Sequence, residues 1–282
     1  MSVFVIAEAG SCHDGDLAQA LALIEAARDA GADACKFQYW SDADTLANRR
    51  RVPPAYRAIY RRYRLPASWL QPLAAACAAT ATRTRGCRPI EFMCSTYVAG
   101  DIATVAPFVR RFKVASFEAL DRDFLLAHGL FLRSKDDLII STGMMNQYEA
   151  YEASGFGRIL HCISAYPAPI DSINLSALLH HDDADGLESI PEFDGLSDHS
   201  RHPLVGALAT AAGAAIIEAH LRLDDTNPQN PDYATAFTPA EFAEYVSHIR
   251  FAEHCMGSGE KRLQDCEREM ARFRVRNSAD VG

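Results

Sequence analysis

Eight short, nearly uninterrupted apolar runs recur along the chain, separated by amphipathic stretches: VFVIAEAG, ADACKFQ, IEFMCST, RFKVAS, DLIISTG, RILHCIS, FDGLSDH and AAIIEAH. Segments that are apolar at consecutive positions, instead of alternating, suit strands covered on both faces, as in a parallel sheet. Helical patterns lie between them. In DLAQALALIEAARDAG, Asp16 stands as N-cap and Gly31 as the residue past the C-cap; in TPAEFAEYVSHIRFAEHC, Thr238, Pro239 and Glu241 form a helix start. Strand and helix alternating eight times predicts an α/β fold, a single-domain (β/α)8 TIM barrel over residues 1–262 with a tail over 263–282. A doubly wound open sheet is the rival, but no G-x-G-x-x-G follows the first strand.

The net charge of −9 lacks the basic excess that phosphate-backbone binding leaves, so nucleic acid is not an expected partner. VFVIAEAG follows Met1 and Ser2 without a basic segment and already holds Glu8, so it reads as a strand and not a signal peptide. Charges interrupt every apolar run before membrane-spanning length, and no membrane partner is expected. The expectation is a soluble, cytoplasmic protein. Eight cysteines include no C-x-x-C pair, and Cys35, Cys94 and Cys162 sit inside strand-like runs, which suits free thiols used as small hydrophobes.

Two connections break the regularity. Residues Tyr39 to Pro66 form a long, Arg-rich, Pro-punctuated insertion after the second strand, the expected lid. MMNQYEAYEASGFG, between strands five and six, leaves room for about two helical turns, so the fifth helix should be short.

Barrel active sites lie at the C-terminal strand ends, and those ends are polar here. In order they offer Glu8; Lys36 and Gln38; Ser95 and Thr96; Lys113, Ser116 and Glu118; Ser141 and Thr142; His161, Ser164 and Tyr166; Ser197, Asp198 and His199; Glu218 and His220. Only four of the 28 basic residues are lysines, and two of those, Lys36 and Lys113, lie within apolar strands. A compact ammonium there can hold a phosphate or carboxylate, or can be a structurally paired lysine. His199 and His220 end neighbouring strands roughly 5 Å apart, close enough to converge on a divalent metal, the alternative being hydrogen-bonded core histidines. Asp198 reads as a turn cap or imidazole partner, not a ligand, and His180, His181 and His254 as surface or packing residues. No G-x-S-x-G elbow supports a serine triad. Two lysines, several hydroxyls, two carboxylates and a metal suit carbon–carbon bond formation between a phosphorylated enol and an aldehyde.

IAEAGSCHDGD, AGADACKFQ, STY, FKVASFE, IISTGM, LHCISAYPAP, GLSDHS, IIEAHLRLD, PDY and GSGEK stand in an order that resembles the N-acetylneuraminate (sialic acid) synthase family, from Val3 to about Lys261. The resemblance implies a transferase that condenses phosphoenolpyruvate with a sugar aldehyde such as an N-acetylmannosamine-like aldose, giving a sialic acid-type 2-keto-3-deoxy sugar acid. It implies His199 and His220 as ligands of Mn2+ or Mg2+. Lys36, Thr96, Lys113, Ser116, Ser141 and Ser197 would surround phosphoenolpyruvate, with Gln38 also on the substrate. Glu8 and Glu118 would handle protons, and Ser164 with Tyr166 would face the sugar.

Departures from the family pattern fall at Cys12-His13-Asp14, Tyr97, Ala219 and Tyr233, mostly on the sugar side. Family members continue into a C-terminal antifreeze-like domain that, in a swapped dimer, lends an arginine to the partner's sugar. The expectation here is a homodimer of catalytic barrels without that domain. The cap then falls to the insertion, with one or more of Arg49, Arg50, Arg51, Arg57, Arg61 and Arg62 reaching the substrate, an anionic one included. The tail with Arg272, Arg274 and Arg276 is left to barrel or dimer packing. Two other readings stay open: a related aldolase or 3-deoxy-acid synthase with a smaller or phosphorylated aldehyde, and a non-catalytic binding homologue.

Overall fold

The computed structural model describes residues 2–79, 88–179 and 192–275. Cys87, His180, His181 and Arg276 lie outside them. Eight strands close into a barrel in sequence order: β1 (Phe4–Gly10), β2 (Ala34–Gln38), β3 (Glu91–Ser95), β4 (Phe112–Val114), β5 (Leu138–Ser141), β6 (Arg158–Cys162), β7 (Gly195–Asp198) and β8 (Ile216–His220). Every neighbouring pair is parallel, β1 with β8 included. The (β/α)8 expectation is met.

Nine helices surround or cover the barrel among the described residues. They are α1 (Leu17–Asp29), α2 (Ala43–Arg50), α3 (Pro54–Arg62), α4 (Leu70–Ala78), α5 (Ala99–Val105), α6 (Arg122–His128), α7 (Gln147–Ser154), α8 (Val205–Ala211) and α9 (Pro239–Met256). Asp16 caps α1 by accepting from the Ala18 N–H, and Gly31 follows in the left-handed region. Thr238 and Glu241 close a capping box on α9. The fifth βα unit carries only the eight-residue α7, as the short connection predicts.

The barrel interior is layered. Ile6, Ala34, Met93, Ile139, Leu160 and Ile216 form one buried apolar cluster, the plug of the barrel. A strand's side-chain period of two means that the residue two positions later points the same way. Those residues are Glu8, Lys36, Ser95, Ser141, Cys162 and Glu218, so a polar layer rests directly on the apolar one. Residues of the opposite parity, such as Val5, Ala7, Cys35, Phe37, Phe92 and Cys94, pack outward into the larger core shared with the helices. Gly195 lets β7 approach β8 closely: a Cβ there would lie 1.8 Å from the Ile216 carbonyl oxygen.

The insertion after β2 folds as α2 and α3 before the chain resumes the barrel with α4, and its residues wall the barrel mouth. Of the two roles expected for the tail, packing on the barrel is not met. Beyond α9 the described residues form two short 3-10 turns and stay almost wholly exposed, with Met270, Phe273 and Val275 largely in solvent. Arg272 and Arg274 therefore do not pack on the barrel.

Candidate active site

The polar layer opens on a cavity of about 440 Å³ at the C-terminal end of the barrel. Its floor is an alternating set of buried charges. Lys36 Nζ lies 2.5 Å from Glu8 Oε2 and 3.5 Å from Glu218 Oε2, and Lys113 Nζ lies 3.6 Å from Glu218 Oε1. Glu218 thus bridges the two lysines. Lys36 also donates to Ser95 Oγ (3.2 Å) and Lys113 to Ser141 Oγ (2.6 Å). Gln38 Nε2 donates to Glu8 Oε1 (2.6 Å), and Ser197 Oγ to Glu218 Oε1 (3.0 Å).

Burial and pairing pull these groups in opposite directions. Burial raises Glu8 above the usual carboxylate range against the pull of Lys36. Burial also presses on Glu218, but Lys113 and Lys36 outweigh it and bring that carboxyl down to about 2. Lys113 is lowered by burial, whereas Lys36 is raised because Glu218 and Glu8 together overcome the same penalty. The floor is therefore a nearly neutral grid in which each lysine faces a carboxylate.

On the β6–β8 side, the rings of His199 and His220 lie 5.3 Å apart, with Tyr166 4.3 Å from His199 and 6.2 Å from His220. His199 Nδ1 donates to the Ile163 carbonyl (2.9 Å), which fixes the tautomer and leaves Nε2 free. Burial lowers His220 to about 4, keeping it neutral, and its buried Nδ1 has no hydrogen-bond partner, the nearest carboxylate being Asp232 at 4.0 Å. Burial favours a neutral His199 too, but the Cys162 sulfur and the Ile163 carbonyl outweigh it and raise that imidazole to about 9, so a divalent ion held by His199 Nε2 and His220 Nδ1 would bind in exchange for the His199 proton. Among the described residues no cluster of three or more His, Cys, Asp or Glu is placed to hold one, so substrate oxygens and water would complete its shell.

The cavity is lined by Glu8, Lys36, Gln38, Lys113, Ser116, Ser141, Ser164, Tyr166, Ser197, His199 and His220, which brings eleven of the expected site residues together. Thr96 and Glu118 are not among the lining residues. Thr96 is buried on the outer side of the barrel, its hydroxyl 3.3 Å from His128 Nε2, because β3 turns Ser95 inward and the next residue outward. Glu118 is buried in a bidentate pair with Arg50 of α2, at 2.7 and 2.8 Å. Arg50 is the insertion arginine that lines the cavity; Arg57 and Arg61 turn to Asp44, and Arg49 to Asp121.

Several lining residues carry no role in the sequence reading. Glu218 and Cys162 were legible by parity, two positions beyond plug residues. Ser11 and Asp232 come from loops after β1 and β8, joined by a 2.7 Å hydrogen bond across 221 residues, which no local pattern announces. Gly143 N–H donates to Ser116 Oγ (3.0 Å), and a Cβ at Gly143 would fall 2.1 Å from Ser164 Oγ, so a glycine is needed where β5 ends beside the site.

Comparison with known proteins agrees with this geometry. The NeuB family model matches residues 23–261. The N,N'-diacetyllegionaminic acid synthase of Legionella pneumophila is 34% identical over 95% of this chain and 77% of its own length. The spore coat polysaccharide biosynthesis protein SpsE of Bacillus subtilis is 33% identical over 89% of this chain and 68% of its own. Among solved structures, the N-acetylneuraminic acid (sialic acid) synthetase of Leptospira borgpetersenii, in complex with citrate, superposes with a TM-score of 0.81 at 28% identity, covering 100% of this chain and 94% of that one. With the barrel, the strand-end residues and these matches in agreement, the chain belongs to the NeuB family.

Proposed function

We propose that this chain joins phosphoenolpyruvate to the aldehyde carbon of an aldose, giving a 2-keto-3-deoxy sugar acid of the sialic acid type and inorganic phosphate. The observation that carries this reading is the pair of lysines, Lys36 and Lys113, sunk in the barrel and opening on a hydroxyl-lined cavity. Such a floor accepts an anion with several oxygens, the ammonium groups acting as point charges and Ser95, Ser116, Ser141 and Ser197 as further donors.

C3 of the enol attacks the aldehyde carbon, a carbon–carbon bond forms, and the aldehyde oxygen takes a proton. Water adds at C2 and gives up its proton to a carboxylate, the role assigned to Glu8; its position at the cavity floor and its burial, which raises it, support that assignment. The C2–O bond to phosphate then breaks as the C2 hydroxyl gives its proton to the departing phosphate and becomes the ketone. His199 and His220 would hold Mn2+ or Mg2+, which when bound polarises the aldehyde oxygen as a Lewis acid. Tyr166, beside both imidazoles, and Ser164 on the cavity wall orient the acceptor, while α2 and α3 shield the mouth from water.

The test is phosphate release and product mass with phosphoenolpyruvate, manganese and a panel of N-acetylated, neutral and phosphorylated aldoses. Each productive aldose should gain the three-carbon acid as phosphate appears in equal amount; phosphate without a coupled product would refute condensation. Metal analysis should find about one ion per chain, lost in His199→Ala and His220→Ala.

A further inference from the structure

Along α9, Glu241, Tyr245 and His248 follow the spacing that places side chains on one face of a helix. All three reach the loop that leaves β7. Arg201 donates to both Glu241 carboxylate oxygens at 3.1 and 3.0 Å, the Tyr245 hydroxyl donates to Asp198 Oδ2 at 2.8 Å, and His248 Nδ1 donates to the Pro203 carbonyl at 3.0 Å. The stretch so clamped carries His199. Within it Arg201 holds a left-handed backbone, with φ of 53°, a conformation that a non-glycine residue keeps where its surroundings fix it.

Tyr245 is fully buried, its ring packed against those of Phe237 and Phe242. Phenylalanine would fill the same volume, so what distinguishes tyrosine here is the partner of its hydroxyl. The neighbouring helix makes room for it with a glycine, a weak helix former: a Cβ on Gly206 of α8 would fall 2.5 Å from Tyr245 Cζ and 2.6 Å from its oxygen. Asp198, which receives that hydroxyl, is buried and faces the helices, because the pleat that turns Ser197 inward to Glu218 turns the next residue outward. Its other oxygen, Oδ1, accepts the Ser200 N–H at 2.8 Å and closes a turn around His199. The His199 carbonyl accepts from the Ala168 N–H at 2.9 Å, and its ring donates to the Ile163 carbonyl. The imidazole is thus aimed from a backbone that Asp198 holds, and Tyr245 holds Asp198.

Resting on the two-histidine ion site described above, we propose that Tyr245 is a positioning residue for His199: its hydroxyl fixes Asp198, and with it the turn that presents the His199 ring beside His220. Tyr245 does not line the cavity and acts only through Asp198. Removing the hydroxyl leaves Asp198 Oδ2 buried without that donor, and the turn moves to satisfy it. Loss of an outer partner behind a metal-binding imidazole weakens metal affinity by about 10-fold or more.

The experiment titrates manganese(II) into the metal-free chain by calorimetry, for wild type, Tyr245→Phe and Ile249→Val, with chemical denaturation of each alongside. Ile249 belongs to the same contact between α8 and α9, its Cδ1 2.9 Å from where a Gly206 Cβ would stand, so Ile249→Val loosens that contact and leaves the bond from Tyr245 to Asp198 in place. Tyr245→Phe should bind manganese about 10-fold more weakly, whereas Ile249→Val should keep wild-type affinity even where it loses as much stability. A Kd in Tyr245→Phe within about twofold of wild type would overturn the positioning role and leave the ion site standing. Equal weakening in both variants would overturn it as well, by showing that any loosening between the two helices suffices. No manganese binding by the wild type would overturn the ion site and this inference with it.

Discussion

Replacing Arg50 by Met removes one partner of a buried pair and leaves the other in place. Glu118 has a side chain 1% exposed and accepts both guanidinium donors at 2.7 and 2.8 Å, while Arg50 itself is mostly buried against Tyr97, Phe117 and Tyr60. Stranding a carboxylate in this setting should cost about 3–5 kcal/mol. For a chain of this length, roughly 2 °C of Tm accompanies each kcal/mol, so Arg50→Met should melt about 6–10 °C below wild type. The double variant Arg50→Met, Glu118→Gln removes the stranded charge and should recover more than half of the loss. Chemical denaturation of the wild type, both single variants and the double variant supplies the cycle. A loss below about 1 kcal/mol in Arg50→Met, the value of an exposed ion pair, would refute the claim that this pair anchors the insertion to the barrel.

Lys36→Met and Lys113→Met should each weaken phosphoenolpyruvate binding by roughly 1.5–3 kcal/mol in calorimetric titration; wild-type affinity in both would make the lysines purely structural. Gly195→Ala forces a Cβ onto a backbone oxygen that can yield only if β7 and β8 separate, so it should lose more than about 4 kcal/mol or fail to fold, whereas Gly100→Ala, with nothing within 4 Å, should be as stable as wild type or slightly more so. His13 is lowered to about 4 by burial, so the unfolded chain binds its proton first: its contribution is full above about pH 6.5 and drains as pH falls toward 4, by about 3 kcal/mol in all. His13→Gln should flatten that part of the stability profile, and an unchanged slope would show that the proton sits elsewhere.

Strand order and the barrel were readable because buried parallel strands leave consecutive apolar residues, and α7 because a short connection has no room for more. The lysines stood out because charge inside an apolar strand is expensive. Reading failed where a single residue of parity decides the outcome. Ser95 and Thr96 are adjacent hydroxyls at the end of β3, yet the pleat sends Ser95 to Lys36 and Thr96 to His128. Glu218 stands among the polar strand ends in the sequence but takes no role there, although parity with Ile216 places it on the inner face. The partner of Glu118 lies 68 residues away on another element, and no local pattern could supply it.

The insertion after β2 also bears on how such a site can diversify. The anion floor is assembled from all eight strands, where any exchange disturbs a packed neighbour. Most of the aromatic side chains that line the cavity, Trp40, Tyr56, Tyr60 and Tyr63, come instead from one continuous stretch of chain, tied to the rest by Arg50 to Glu118, Arg49 to Asp121 and the Ser41 N–H to Asp101. On the proposed condensation reading, residues that meet the acceptor are thus grouped as a cassette. Swapping that stretch between family members, with the residue facing position 50 exchanged alongside, should transplant sugar choice onto an unchanged enol-binding chassis.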